Sequence, residues 1–190
     1  MEEHRAQAIK ILNQGGIVIF PTDTAFGIGC RIDDRDAIKR LFRIRRRPET
    51  QATPVLVSDL AMAQEYVLPL SKEVEGLTKE YWPGALTIVL PARTERVPEL
   101  VRGGTQTLGV RMPNHEGALE IIRHVGVPIL GPSANFHGEK TPYALTDLDR
   151  ELVQLVDYVV SGECKGRQAS TVVDCSVFPW KILRQGAVRV

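Results

Sequence analysis

Blocks of apolar and polar positions alternate along this chain with the spacings expected of helices and strands. Over residues 2–14 the apolar side chains lie three and four positions apart, which predicts a helix with Ala8, Ile9, Ile11 and Leu12 on its apolar face, and Gly15-Gly16 predicts its end. Residues 17–20 are all apolar and are followed by proline, a pattern typical of a strand buried on both faces. The chain is therefore predicted to begin with a helix that leads into a buried strand.

The same alternation continues to the last residues. Further helices are predicted over residues 59–66, 71–81, 116–125 and about 146–156, and one more is capped by Asp34 or Asp36 and ended by Pro48. Further strands are predicted over residues 54–57, 86–90, 107–112, 127–130, 157–160, 171–174 and 182–183. This interleaving predicts an α/β fold with helices on the faces of the sheet. The crowding of the last strands favours a mixed, partly antiparallel sheet.

Length and composition restrict the class of protein. The chain has 190 residues, of which 43% are hydrophobic, and this predicts a single domain over residues 1–190. With 24 Lys and Arg against 23 Asp and Glu, the net charge is only +1, so the protein is not a strong polycation of the kind that coats nucleic acid. The N-terminal sequence contains no signal peptide or membrane span, which predicts a cytoplasmic location without membrane association.

Several common catalytic and metal-binding motifs are absent. The three cysteines lack Cys-x-x-Cys spacing, and the four histidines lack paired metal spacing, so neither a disulfide framework nor a protein-built zinc site is indicated. There is no P-loop motif, and Gly27-Ile28-Gly29 lacks the third glycine of a dinucleotide-binding loop. The segment Gly131-Pro132-Ser133-Ala134-Asn135 resembles a nucleophile elbow only superficially, because its last residue is asparagine.

One segment concentrates positive charge. Residues 39–47 contain six Lys and Arg residues and no acidic residue. Such a run is commonly the solvated face of a helix. Here, however, the run ends at Arg47-Pro48, where the chain must leave the helix, so the last guanidinium groups project from a turn. This position favours a phosphate-binding site.

Polar residues also collect in loops next to predicted strand ends. In an α/β sheet such loops converge on one crevice, where ligands bind. Each loop alone is more typical of a structural turn, but together they predict an anion-binding pocket rich in hydroxyl groups. The segments are Pro21-Thr22-Asp23-Thr24, Arg45-Arg46-Arg47-Pro48, Arg111-Met112-Pro113, Pro132-Ser133-Ala134-Asn135 and Ala169-Ser170-Thr171.

These segments, in this order, resemble the YrdC-like family of threonylcarbamoyl-AMP synthases. The resemblance runs from Gly15 to Gly186 and implies a twisted, mixed α/β sheet around a positively charged concave cleft, in the short form without a further C-terminal domain. The motifs that carry it are Phe20-Pro21-Thr22-Asp23-Thr24-Ala25-Phe26-Gly27, Trp82-Pro83-Gly84-Ala85-Leu86-Thr87, Val110-Arg111-Met112-Pro113, Pro132-Ser133-Ala134-Asn135 and Ser170-Thr171-Val172-Val173-Asp174.

The resemblance also implies a reaction. L-threonine, bicarbonate and ATP would condense to threonylcarbamoyl-AMP with release of pyrophosphate, assisted by Mg²⁺. The product would serve the N6-threonylcarbamoyladenosine (t6A) modification of tRNA, through a downstream tRNA threonylcarbamoyl transferase complex. Weak RNA binding is a further expectation.

Site residues follow from the same resemblance, and none of them is assigned as a general acid or base. The positions that match threonine contacts are Thr24, Arg111, Gly131, Ser170 and Ser58. The positions that match ATP contacts are Arg45, Arg47, Thr53, Thr107, Ser133, Asn135, Thr141 and Arg184. Arg111 suits a carboxylate independently of the family, because a guanidinium binds a carboxylate in a fork geometry that lysine cannot copy.

Two departures keep alternative functions open. Arg45 stands where the family motif has lysine, and Ser58 stands where some relatives have histidine. A paralogous carbamoyl-adenylate enzyme with another acceptor is therefore one alternative. The other is an RNA-binding module that uses the basic run, although aromatic residues, which RNA-binding surfaces use for stacking, make up only 6% of the chain.

Overall fold

The computed structural model describes residues 2–190, and within them the helices begin largely where polar side chains can cap them. Asp34, rather than Asp36, caps the second helix, since its carboxylate accepts hydrogen bonds from the backbone N–H groups of Asp36 and Ala37. The helices are α1 Glu2–Asn13, α2 Arg35–Ile44, α3 Leu60–Gln64, α4 Lys72–Tyr81, α5 Glu99–Arg102, α6 Glu116–Val125 and α7 Arg150–Leu155, with a 3₁₀ turn at Leu145–Asp147.

The strands form two mixed sheets, as the sequence pattern predicts. One sheet has the order β2-β1-β7 and the other the order β6-β3-β5-β4-β8-β9, and both contain parallel and antiparallel pairs. The strands are β1 Val18–Phe20, β2 Gly27–Gly29, β3 Val55–Leu56, β4 Leu86–Pro91, β5 Thr107–Arg111, β6 Ile129–Leu130, β7 Tyr158–Val159, β8 Thr171–Asp174 and β9 Lys181–Arg184.

Three elements differ from the sequence prediction, and one of them is the short helix α5, which was not predicted at all. The single helix predicted over 146–156 is instead the 3₁₀ turn followed by α7. The Asp147 carboxylate accepts from the backbone of residues 143 and 144, while Asp149 caps α7, so two competing caps divide the segment. Strand β2 was not predicted, because glycine is rare in strands. Glycine is needed at position 29 because a Cβ there would overlap the carbonyl of Leu130.

Topology brings the ends of three strands to one edge of the larger sheet. Strand β4 is antiparallel to β5 and parallel to β8, so β8 begins where β5 ends. Strand β9 runs antiparallel to β8 and therefore ends at the same edge. Arg111, Ser170 and Arg184 are thereby placed close together. Within residues 2–190, no helix combines the length and the apolar character needed to span a lipid bilayer.

Candidate functional site

A cavity of about 170 Å³ opens at this edge, and it receives residues from all five loop segments singled out in the sequence. The predicted convergence of these loops is therefore confirmed. Nine of the predicted site residues line the cavity: Thr24, Arg45, Arg47, Arg111, Gly131, Ser133, Thr141, Ser170 and Arg184.

Arg111, the last residue of β5, lines the side of the cavity that also contains Thr22 and Thr24. Its Nη1 donates to Thr24 Oγ1 at 2.7 Å, and its Nη2 donates to Asp23 Oδ1 at 2.6 Å and to Thr22 Oγ1 at 3.2 Å. Burial lowers the pKa of Arg111, an effect that the Asp23 carboxylate opposes. The Nε atom is buried without a partner among the described residues, so one N–H group of a rigidly held guanidinium remains for an anion.

Ser170 joins this side to Arg184. The Arg184 guanidinium donates from Nε to the Ser170 carbonyl and from Nη2 to Ser170 Oγ, both at 3.0 Å. Ser170 Oγ also lies 2.9 Å from Thr87 Oγ1. Since the Ser170 oxygen accepts from Arg184, its own proton is left for Thr87 or for a ligand.

Arg45 and Arg47 lie on the other side of the cavity, directly after α2. The Nε atom of Arg45 donates to the Asn135 carbonyl at 3.1 Å, but its Nη1 is buried without a partner among residues 2–190. Burial, with a smaller effect from Arg47, lowers the pKa of Arg45 to about 9. Burial also lowers the pKa of Arg47, whose guanidinium donates to the carbonyls of Gln51 and Ala52.

The charges of the cavity do not balance. Four guanidinium groups line it, whereas no carboxylate does so among the described residues, and the Asp23 carboxylate behind the wall pairs with Arg111 alone. Burying a charge without a counterion is unfavourable, as the lowered pKa values of Arg45, Arg47 and Arg184 reflect. An anionic ligand with several oxygens would neutralise these groups and pair the free N–H groups.

Four predicted site residues lie outside the cavity wall. The Ser58 hydroxyl donates to Asp59 at 2.7 Å, next to the start of α3, so it is engaged locally. Thr107 begins β5, roughly 13 Å along the strand from Arg111 at its end, and its hydroxyl bonds Thr105. Thr53 is 1% exposed, and its Oγ1 is buried without a partner among residues 2–190.

Asn135, the fourth of these residues, shapes the loop behind Ser133. Its side-chain amide donates to the carbonyls of Phe136 and Glu139, at 2.7 and 3.0 Å, and its backbone carbonyl accepts from Arg45. Asn135 therefore supports the loop and the orientation of Arg45, and its Oδ1 is buried without a partner among residues 2–190. The direct ATP contact expected from the resemblance stays a prediction.

Three residues with evident contacts at the site were not assigned from the sequence. Asp23 forms the ion pair with Arg111, Thr22 accepts from the same guanidinium, and Thr87 bonds Ser170. All three belong to motifs quoted above. Their signal was the presence of polar residues in otherwise apolar, strand-like segments, but their roles depend on partners more than 60 residues away along the chain.

No protein-built metal centre accompanies these groups. Within residues 2–190, no cluster of three or more His, Cys, Asp or Glu side chains could hold a metal ion. The donors of the cavity are guanidinium and hydroxyl groups, which do not fit a resident divalent cation.

Comparison with known proteins places this geometry in context. The family model Sua5/YciO/YrdC, described as telomere recombination, matches residues 10–186. The chain is 33% identical over 187 residues to a threonylcarbamoyl-AMP synthase of Bacillus subtilis, covering 96% of this chain and 53% of that protein.

Two solved structures are similar over nearly the whole chain. The crystal structure of P. abyssi Sua5 complexed with L-threonine superposes with a TM-score of 0.88 at 33% identity, covering 97% of this chain and 54% of that one. The crystal structure of E. coli YciO also gives a TM-score of 0.88, at 27% identity, with 98% and 90% coverage. The chain spans about half the length of the B. subtilis and P. abyssi proteins.

Proposed function

Because this chain belongs to the Sua5/YciO/YrdC family, we propose that it is an enzyme that makes threonylcarbamoyl-AMP from L-threonine, bicarbonate and ATP and releases pyrophosphate. The observation that carries the proposal is the cavity in which four guanidinium groups meet the hydroxyl groups of Thr24, Ser133 and Ser170. ATP supplies the anionic oxygens that such a cavity lacks, and threonine supplies a carboxylate and a hydroxyl. The B. subtilis and P. abyssi relatives support the same assignment through their names and bound ligand.

The threonine site is proposed on the side of Arg111. The guanidinium would bind the substrate carboxylate, aided by its unpaired Nε, while Asp23 holds it in place through Nη2. Thr24 and Ser170 present buried hydroxyl groups to the β-hydroxyl. A Cβ at Gly131 would overlap the side chain of Leu56, so only glycine allows the two residues to pack this closely in the cavity wall.

The nucleotide is proposed to bind across Arg45, Arg47 and Arg184, with Ser133 and Thr141 contributing hydroxyl groups. The amine of threonine attacks bicarbonate to give a carbamate and water. The carbamate oxygen then attacks the α-phosphorus of ATP, and pyrophosphate leaves. The arginines would stabilise the negative charge that develops on the phosphate oxygens, so catalysis is mainly positioning and electrostatic stabilisation and requires no dedicated general base.

A divalent cation would enter this site with its nucleotide. Since the cavity offers no carboxylate cluster among the described residues, we propose that Mg²⁺ is bound by the phosphates of ATP. The product would pass to a tRNA threonylcarbamoyl transferase complex for t6A formation in the cytoplasm.

A second candidate function is a carbamoyl-adenylate enzyme with a different acceptor. Arg45 in place of the motif lysine is consistent with it, because the two side chains differ in reach and hydrogen-bond geometry. This candidate shares the anion site and differs in the amino acid used.

Pyrophosphate release distinguishes these functions. We expect the purified protein to release pyrophosphate from ATP only when L-threonine and bicarbonate are both present, since each completes the nucleophile. Omitting one component at a time, with Mg²⁺ constant, is the measurement. Turnover without threonine would contradict the proposal, and turnover with another amine in its place would support the second candidate.

Replacement of Arg47 by alanine tests the nucleotide site. Loss of one charged phosphate contact should weaken ATP binding by about 1.5–3 kcal/mol, or roughly 10- to 150-fold. Because Arg47 also donates to the Gln51 and Ala52 carbonyls, a fall in thermal stability is expected too. Calorimetric titration of ATP measures the first effect and thermal unfolding the second.

Arg43→Ala is the matched control for this variant. Arg43 belongs to the same basic run, but its side chain is exposed and makes no hydrogen bond with any residue the structure describes. It should bind ATP as the unchanged protein does. Equal loss in both variants would mean that the run acts through its overall charge and would exclude a specific contact of Arg47.

A further inference from the structure

The chain turns directly after α2, at residues 45–47, and this corner has an unusual residue at its centre. The backbone N–H groups of Arg46 and Arg47 donate to the carbonyls of Arg43 and Phe42, at 3.0 and 2.9 Å, which is the hydrogen-bond pattern of a Schellman motif. Arg46 occupies the left-handed position of that motif, with φ of 52°, where glycine is the usual residue. Arg46 is the one non-glycine residue with positive φ among residues 2–190, so its side chain is expected to compensate for an unfavourable backbone.

At the left-handed residue, the side chain of Arg46 takes a different direction from those of its neighbours Arg45 and Arg47. Arg45 and Arg47 both line the cavity, whereas Arg46 does not. The guanidinium of Arg46 instead lies over the ring of Phe136, 4.0 Å from its centre, and its Nη2 is 2.5 Å from Glu151 Oε1. Arg46 therefore contacts Phe136 and Glu151 outside the cavity, while Arg45 and Arg47 line it.

The same contacts join the corner to the loop that carries Ser133. Phe136 is buried and follows Asn135, whose carbonyl accepts from Arg45 Nε. The backbone N–H of His137 donates back to the Arg45 carbonyl at 2.8 Å. The stacking of Arg46 on Phe136 therefore adds a contact between residues 45–47 and residues 133–137, the two loops that contribute groups to the anion site.

We propose that Arg46 is a positioning residue for nucleotide binding. By stacking on Phe136 it fixes the corner against residues 133–137, so that Arg45, Arg47 and Ser133 face the same phosphate groups. This inference rests on the proposed function only in naming the anion as the phosphates of ATP. The geometry itself, with four guanidinium groups and no carboxylate among the described residues that line the cavity, favours an anion.

Two substitutions separate the side chain from the backbone conformation. Arg46→Ala removes the stacking and the exposed ion pair with Glu151 but keeps the left-handed strain, whereas Arg46→Gly removes the same two contacts and relieves the strain. Both variants should bind ATP about fivefold more weakly, the loss expected for one cation–π contact. Arg46→Gly should nevertheless unfold at a higher temperature than Arg46→Ala. Threonine affinity should be unchanged in both, because the side-chain hydrogen bonds of Arg111 go to residues 22–24 and not to the corner.

The experiment measures binding of ATP, pyrophosphate and L-threonine by calorimetry, together with thermal unfolding, for the unchanged protein, both variants and Arg43→Ala. Arg43→Ala should bind all three as the unchanged protein does. If Arg46→Gly bound ATP and pyrophosphate normally, the side chain would have no positioning role. A parallel loss of threonine binding would indicate general damage and would also overturn the proposal.

Pyrophosphate keeps this test distinct from the proposed function. If the unchanged protein binds pyrophosphate but forms no adenylate, the proposed reaction fails, and the variants still decide the role of Arg46 through pyrophosphate affinity. If the unchanged protein binds neither ATP nor pyrophosphate, the anion site itself is refuted, and the role of Arg46 with it.

Discussion

L-Valine is expected to be used roughly 10⁴-fold less efficiently than L-threonine in adenylate formation, because a site built around a substrate hydroxyl leaves its own polar groups unpaired when that hydroxyl is missing. The groups concerned are the hydroxyls of Thr24, Thr87 and Ser170, which are between 4 and 6% exposed. Arg111 donates to the Thr24 hydroxyl, Arg184 donates to the Ser170 hydroxyl, and Thr87 bonds Ser170. Valine has the shape of threonine, so it would displace water from these groups without replacing the hydrogen bonds.

L-Serine separates the contribution of the methyl group. It keeps the hydroxyl and lacks only one small apolar contact, which corresponds to about 10- to 200-fold discrimination. The expected order is therefore threonine, serine, valine. Competition assays of adenylate formation with the three amino acids measure it, and valine used as well as serine would show that the hydroxyl is not recognised.

Arg111→Ala is the control for the same experiment. Threonine and serine present the same carboxylate, so the variant should use both less efficiently and by a similar factor. Thermal unfolding must accompany this assay, since removing Arg111 leaves the buried Asp23 carboxylate without its partner. A change confined to the ratio of threonine to serine would contradict the assignment of Arg111 to the carboxylate.

The fold was largely accessible from the sequence because most of its elements have strong local signals. The continuous apolar run 17–20 and the helical pattern over 116–125 are clear, and the structure places elements at Val18–Phe20 and Glu116–Val125. Elements that depend on partners were missed. Strand β2 contains Gly29, whose role is close approach to the Leu130 backbone, and α5 spans only Glu99–Arg102.

The candidate site was likewise predictable where it depends on local signals and not where it depends on distant partners. Arginine and hydroxyl residues at strand ends could be assigned to one cavity, because the topology of a sheet brings such ends together. The positions of Thr107 and Ser58 outside the cavity wall could not be predicted from the sequence. Thr107 stands at the far end of its strand and Ser58 is engaged by Asp59, and neither fact is visible without the register of β5 and the start of α3. The partner of Asp23, 88 residues away along the chain, was equally inaccessible.

Replacement of Arg45 by methionine should raise the stability of the ligand-free protein and abolish most of its response to ATP. Arg45 is 3% exposed, its Nη1 has no partner among residues 2–190, and burial lowers its pKa to about 9. The fold therefore disfavours the charge. A side chain of similar length without charge should stabilise the fold by about 1–3 kcal/mol, as in other exchanges of buried charges for apolar groups.

The same substitution removes a charge that the phosphates need. The unchanged protein should gain about 2.7 kcal/mol of stability from ATP at a concentration of 100 times its Kd. Arg45→Met should lose most of this gain, because a charged hydrogen bond contributes about 1.5–3 kcal/mol. Arg45→Lys, which keeps the charge, should retain part of it. Thermal unfolding of the three proteins with and without ATP is the measurement.

The pH dependence of the stability difference distinguishes the loss of a buried charge in Arg45→Met from a change in packing. Because the pKa of Arg45 is lower in the folded than in the unfolded state, the unfolded chain binds more protons above about pH 9, and the contribution of this group to stability rises with pH. The stability advantage of Arg45→Met should therefore be fully present below pH 9 and shrink above it. A constant advantage across this range would attribute the gain to packing, and a destabilised Arg45→Met protein would show that the hydrogen bond to Asn135 outweighs the buried charge.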